Sequence, residues 1–220
     1  MLAALTALVV PPRCVACTAS VGAGRRLCRT CQLEIPWIAN PCERCGLPTP
    51  CRPCPATSAS FARAWSPVAF DGPARALVHA LKFHGRPAAA QVMAAQMAAN
   101  APAGFLGEGS VLVPVPTHPA RRRQRGFDQS DLLARALARR THLPTLAALS
   151  RRGAPTRQVG ASRTQRGAGP DVQARRPVSG RVVLVDDVHT TGATLEACAR
   201  ALRGAGAASV TALAYARTLG

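Results

Sequence analysis

The spacing of apolar positions divides the chain into zones with different habits. From residue 111 onward, strand-type and helix-type runs alternate. Val111-Leu112-Val113 reads as a short buried strand that stops at Pro114. Leu132, Leu133, Ala136 and Leu137 recur at helical spacing and predict a helix over 130–140. Residues 181–185, RVVLV, are apolar without alternation, as in a strand buried on both faces. Leu195, Cys198, Ala199 and Leu202 mark a helix that Gly204 closes, and 210–215 form a further strand. Strand, helix and strand in that order make a βαβ unit, so at least part of the sheet is parallel. Residues 151–176 are polar, Arg-rich and without period, and read as a mobile segment.

Upstream the pattern is mixed. Residues 65–70, WSPVAF, are strand-like, with Pro67 restricting them to a sheet edge. Asp71, Gly72 and Pro73 start a helix whose apolar face is Leu77, Ala80 and Leu81 and which ends near Gly85. A second helix opens at Pro87 and runs through Val92, Met93 and Met97 to Asn100. The first ten residues are apolar, but they lack the basic lead and cleavage site of a secretory signal and are too few to span a bilayer. A short helix docked on the core is expected there, in a cytoplasmic protein.

Residues 13–55 differ in kind: few branched aliphatics, repeated prolines and four C-x-x-C pairs, Cys14-Cys17, Cys28-Cys31, Cys42-Cys45 and Cys51-Cys54. A disulfide framework suits a secreted chain, and iron–sulfur clusters use other ligand spacings. Each pair instead reads as a knuckle giving two thiolates, so eight ligands make two tetrahedral zinc sites of a structural kind. Sequential pairing of the knuckles and a cross-brace both fit the spacing. So short and apolar-poor a segment depends on metal to fold. Cys198, by contrast, falls on the apolar stripe of a helix and reads as a core residue.

The chain has 220 residues, 48% hydrophobic, which excludes wholesale disorder. Lys+Arg 28 against Asp+Glu 10 gives a formal charge of +18, which points to a polyanionic partner, nucleic acid or a phosphorylated small molecule. An arginine- and alanine-rich composition can also drift basic without a function. Lys82 is the only lysine, so a site wanting a compact ammonium competes with a chance survivor. Arg121, Arg122, Arg123 and Arg125 read as a basic loop, either a clamp for phosphate oxygens or a solvated segment. Phe127 beside them reads as an anchoring contact rather than a base-stacking ring, and His79 and His84 as residues near the same pocket.

The most informative run is 182–194, VVLVDDVHTTGAT. A buried strand ends in Asp186 and Asp187, and Thr190, Thr191, Gly192, Ala193 and Thr194 lead directly into a helix. Loop N–H groups and the helix start favour an anion, hydroxyls add donors, and Gly192 allows close backbone approach. If the ligand is a phosphorylated sugar, the carboxylates can accept from vicinal ribose hydroxyls or hold a hydrated magnesium ion. No lysine follows the glycine, so this is not a Walker loop.

This run resembles the phosphoribosyl pyrophosphate (PRPP) motif of type I phosphoribosyltransferases, and the chain more closely resembles the ComF family, which includes GntX-type members. The likeness takes in the cysteine pairs, Leu81-Lys82-Phe83-His84-Gly85, Pro114-Val115-Pro116, Arg125-Gly126-Phe127-Asp128-Gln129, Gln158, Arg166 and 185–194. It implies a mostly parallel α/β sheet of the type I phosphoribosyltransferase kind flanked by helices (58–220), after an N-terminal helix and double zinc ribbon (1–57). It implies Asp186 and Asp187 at the ribose hydroxyls, the turn from Thr190 to Thr194 at the 5′-phosphate, and the loop after Val113 facing pyrophosphate. Lys82 and Arg125 join the two aspartates as candidate catalytic residues. Zinc and magnesium with PRPP are the implied cofactors, and single-stranded DNA and competence helicase-type proteins the further partners. The implied role is competence-linked DNA uptake, with or without transfer of the phosphoribosyl group. Asp128 stands where the family carries asparagine, adding repulsion beside a pyrophosphate unless a metal or arginine intervenes. The asparagine expected after Arg166 is replaced by Gly167-Ala168-Gly169.

Overall fold

The computed structural model describes residues 12–152 and 170–219. The helix expected over the first ten residues, Gln158, Arg166 and the middle of the Arg-rich stretch fall outside them.

In chain order the elements are α1 (Arg29–Leu33), β1 (Arg63–Trp65), β2 (Val68–Ala69), α2 (Gly72–His84), α3 (Pro87–Asn100) and β3 (Ser110–Pro114). There follow α4 (Pro119–Arg125), α5 (Gln129–Thr141), β4 (Leu149–Arg151), β5 (Val172–Ala174), β6 (Arg181–His189), α6 (Ala193–Gly204) and β7 (Ser209–Arg217). The main sheet is five-stranded, with β1 and β2 one after the other along one side of β7, then β6, then β3. Every pairing in it is parallel. The fold is thus α/β, as the βαβ pattern predicts.

Alternation along the central strand separates two apolar clusters. Val183 and Val185 of β6 join one with residues of α2, α3 and α5. Val182 and Leu184 join the other with α6. With both faces covered, all four valine and leucine side chains are buried, which explains the unbroken apolar run.

Four local features differ from expectation. The strand does not stop at Val185 but continues to His189, because Asp186 and Val188 pair with Ala214 and Ala216 of the neighbouring β7. The 65–70 strand is interrupted at Ser66-Pro67, leaving β1 and β2 as separate short ladders on β7. The basic run is a helix, α4, rather than a loop. Pro119 sits at its start, His118 Nδ1 accepts from Ala120 N, and Gly126 closes it at φ 80°. Within the polar segment, Arg151 and Val172 belong to a two-stranded antiparallel ladder of β4 and β5.

Candidate functional site

Six of the residues expected at the site line one cavity of about 280 Å³ at the carboxyl end of β6: Lys82, Arg125, Asp186, Asp187, Thr190 and Thr194. Each is delivered by a different local device. Asp71 Oδ1 accepts from Gly72 N at the head of α2, and Gly85 ends that helix in the left-handed region. That places Lys82 in the last turn, where a cation is favoured by the helix dipole. Asp186 and Asp187 lie on consecutive strand positions. Asp186 Oδ1 accepts from Ser130 Oγ at 3.0 Å, at the start of α5, and Asp187 Oδ1 pairs with Lys82 Nζ at 3.1 Å, in α2.

The acids are deeply placed. Burial, then the neighbouring Asp187, pushes the Asp186 carboxyl up to about 7. Burial raises Asp187 too, while Lys82 and Arg125 oppose the rise. Asp187 Oδ2 is buried and has no hydrogen-bond partner. An acceptor so placed is costly unless a hydroxyl or a cation reaches it, so the donor set fits a ligand with such groups. Arg125 is oriented by Gln129, whose Oε1 accepts from Arg125 NH1 and from Thr117 Oγ1, each at 3.0 Å. Arg125 also lies over the exposed ring of Phe83, 5.6 Å from its centroid.

The remaining turn residues face elsewhere. Thr191, Gly192 and Ala193 line a second cavity of about 260 Å³, with Cys45, Phe61, His189 and Arg217. His189, given no role by sequence reasoning, is buried behind the turn, and burial followed by the charge of Arg217 holds its imidazole down at about 3. His79 packs between Phe70 and Phe83 rather than on the cavity wall, and His84 is not among the residues lining it. Phe127 is an anchor, as expected: a β-carbon built on Gly85 meets its Cε1 at 2.7 Å. Asp128 is a helix cap whose Oδ1 accepts from Ser130 N and Asp131 N and whose Oδ2 accepts from Thr117 N. Its charge is thereby met by three N–H groups, and asparagine and aspartate cap equally well.

Ser130, Arg151 and Arg217 are the contributors that sequence reasoning missed. Arg151 borders the first cavity and a neighbouring cleft of about 570 Å³, which Arg122, Arg135, Arg152 and Arg175 also line. Burial, then the charge of Arg121, lowers the affinity of Arg151 for its proton, and Asp186 opposes that shift.

The cysteines gather in two sets, Cys14, Cys17, Cys28, Cys31 and Cys42, Cys45, Cys51, Cys54, with the sulfurs of each set all within 4.8 Å of one another. The pairing is therefore sequential rather than cross-braced. The Sγ atoms of Cys17 and Cys28, and of Cys45 and Cys51, are 3.6 Å apart. A tetrahedral zinc with four thiolates separates its sulfurs by about 3.8 Å, whereas a disulfide needs about 2 Å. Both sets fit structural zinc. Burial raises Cys31, while at Cys14 burial is outweighed by the backbone N–H groups of Cys17, Cys28 and Ala16, which lower it.

The double zinc ribbon domain family matches residues 5–60. The chain is 31% identical over 226 residues to the DNA utilization protein YhgH of Escherichia coli (strain K12), spanning 96% of this chain and 100% of that protein. It is 36% identical over 112 residues to the competence protein ComFC of Bacillus subtilis (strain 168), 49% of this chain and 45% of that one. The solved structure of the allosteric regulatory enzyme of purine biosynthesis covers 61% of this chain and 29% of its own, with 25% identity and a TM-score of 0.41. Among the described residues, no helix is long and apolar enough to cross a membrane.

Proposed function

The chain belongs to the ComF family, with YhgH as a full-length relative, and on that premise we propose that it binds PRPP in the Asp186–Asp187 cavity and serves DNA uptake or use. The observation that carries the reading is the unpartnered, buried Asp187 Oδ2 in a cavity that also presents Asp186, Thr190 and Thr194. A pentose with vicinal hydroxyls supplies the missing donors. Thr190 and Thr194 offer hydroxyls to a 5′-phosphate at the start of α6, where the helix dipole favours negative charge. Lys82 and Arg125 balance the acids and present cationic donors to the diphosphate. Asp186 and Asp187 are the residues that would hold magnesium, which supplies neutralisation of diphosphate charge when bound. Asp128, occupied as a cap, stands aside from that anion.

Calorimetry of the zinc-replete chain with PRPP and magnesium tests this. One site is expected, weakened about 10- to 100-fold by Asp187→Asn, since hydrogen bonds to charged groups contribute about 1.5–3 kcal/mol each. Absence of binding overturns the reading. Release of pyrophosphate with a panel of acceptors decides whether the pocket also transfers the sugar phosphate. Binding without turnover would make PRPP a signal rather than a substrate.

The arginine-lined cleft supports a second reading, contact with single-stranded DNA. Its affinity should fall with salt and fall further on replacing Arg122 and Arg175 by glutamine. A cytoplasmic place beside competence helicase-type proteins follows from this role.

A further inference from the structure

Arg217 ends β7 with 4% of its surface exposed, so its guanidinium is a buried charge. Among the described residues no carboxylate lies within ion-pair distance of it, and its Nε has no hydrogen-bond partner. Its NH1 donates to the carbonyl oxygens of His189, at 3.1 Å, and Thr190, the two residues that lead the chain into the Thr190–Thr194 turn. A buried guanidinium without a counter-charge is strongly destabilising, so the charge that balances it is informative. Cys45, a ligand of the second zinc set, lines the same 260 Å³ cavity as Arg217. Zinc with four thiolates carries a formal charge of −2, a stronger counter-charge than one cysteine.

Contacts from the linker that follows the second ribbon point the same way. Phe61 meets His189 edge-on, centroids 6.4 Å apart. Ser60 N and Oγ donate to the two carboxylate oxygens of Glu196, in the first turn of α6. His189 Nε2 in turn lies 3.0 Å from where a β-carbon on Gly192 would be, so the histidine backs the turn directly.

We propose that Arg217 is a positioning residue that couples the zinc load of the second ribbon to the shape of the turn that grips the ligand phosphate. The metal and the phosphoribosyl ligand then bind cooperatively. The second half of this statement rests on the PRPP reading of the pocket; the first does not. Coupling of this kind is reciprocal: if zinc shapes the turn, a ligand on the turn retains zinc by the same factor.

The first test needs no ligand. Hydrogen exchange of the amides at 189–195 is followed in the full chain, with zinc content measured alongside. Removing a second-ribbon ligand by Cys51→Ser should speed exchange there about 10-fold, and Arg217→Gln should do the same while both zinc ions stay bound. Cys28→Ser, in the first ribbon, should leave those amides unchanged, and Arg217→Lys should restore part of the protection. The coupling is overturned if Arg217→Gln with two zinc ions exchanges like the wild type, or if the two cysteine variants loosen the turn equally. Should Arg217→Gln fail to fold, the contrast between the two cysteine variants still decides it. In the second test, PRPP with magnesium should raise the zinc affinity of the second ribbon, read at equilibrium against a chromophoric chelator, about 5-fold, at the low end of known allosteric couplings, and leave the first ribbon unchanged. If calorimetry shows PRPP bound and the zinc affinity does not move, cooperativity is refuted. If calorimetry shows no binding, the PRPP reading falls with it, and the exchange experiment alone judges the tie between ribbon and turn.

Discussion

Two ribbons made from the same C-x-x-C unit are set into the molecule in opposite ways. The first feeds Cys14, Val15, Leu27, Cys31 and Ile35 into the apolar cluster shared with α2, α3 and α5. The second contributes Cys45 as its only fully buried cysteine and joins the cluster of α6, on the other face of the sheet. The chain between them runs along the β1–β2 edge, where Ile38 N donates to Pro67 O, and Arg44 O of the second ribbon accepts from Ala64 N. Identical metal chemistry is therefore used for different ends. The first ribbon is part of the wall of the core, and the second stands behind the Thr190–Thr194 turn. A cluster contributes according to what it is packed against, which ligand spacing alone does not reveal.

The contrast can be broken most directly by removing one metal ligand from each side. Apparent zinc affinities of small structural sites reach about 10 kcal/mol or more, so losing one of the buried ligands Cys14 and Cys31 of the first set should be costly. Cys31→Ser is expected to lower the melting temperature by about 10 °C or more, and Cys51→Ser by clearly less. Equal losses in calorimetric melts would erase the distinction.

Lys82 and Asp187 provide the next largest effect, because their ion pair joins α2 to β6 in the wall of the 280 Å³ cavity. Lys82→Met leaves a buried carboxylate without its cation and should cost about 2 kcal/mol, a figure discounted for the partial exposure of the lysine. Urea titration measures it. The Lys82→Met, Asp187→Asn double variant should recover part of the loss, and failure to recover would mean the pair is not coupled.

Asp186 sharpens the comparison through pH. Its folded value of about 7 lies above the reference 3.8, so the native state holds a proton that the unfolded chain releases. Its contribution to stability is intact below the reference value and is lost as pH rises through about 7. Binding of a magnesium-bearing ligand needs the carboxylate and should strengthen over the same rise. Parallel melts and calorimetry across that range should move in opposite directions for the wild type, and Asp186→Asn should flatten both.

The smallest effect belongs to Asp128. As a cap it should tolerate Asp128→Asn with almost no change in stability, while Asp128→Ala should cost about 1 kcal/mol. A large gain in PRPP affinity from Asp128→Asn would show instead that the carboxylate opposes the diphosphate.

Much of this architecture was legible where local chemistry and tertiary pairing agree. The ends of α2 and α3 are announced by Asp71, Gly85 and Pro87, whose backbone preferences suit the cap positions they occupy. The two cysteine sets are legible because the ligand chemistry is tied to short spacings, though the pairing is not. Where neighbours far along the chain decide, the pattern fails. Asp186 to His189 form strand because β7 pairs with them, against the low strand preference of aspartate. The helix over 119–125 shows no apolar face, since none of its residues is buried, and is held by its two ends. Lys82, Arg125, Asp186 and Asp187 could be nominated from motif and resemblance. Ser130 and Arg217 could not, because only the fold brings a helix start to Asp186 and the last strand residue to the carbonyls of His189 and Thr190.

The contact between Gly85 and Phe127 has a consequence for the two cations of the cavity. Lys82 sits three positions before the glycine and Arg125 two before the phenylalanine, so the ring seated on the bare backbone locks one helix end to the other. Any larger residue at 85 would meet both the ring and a backbone at φ 55°, and relief would have to move the ring or the helix end that carries it. The separation of the two positive charges is thus dictated by an atom that position 85 never carries.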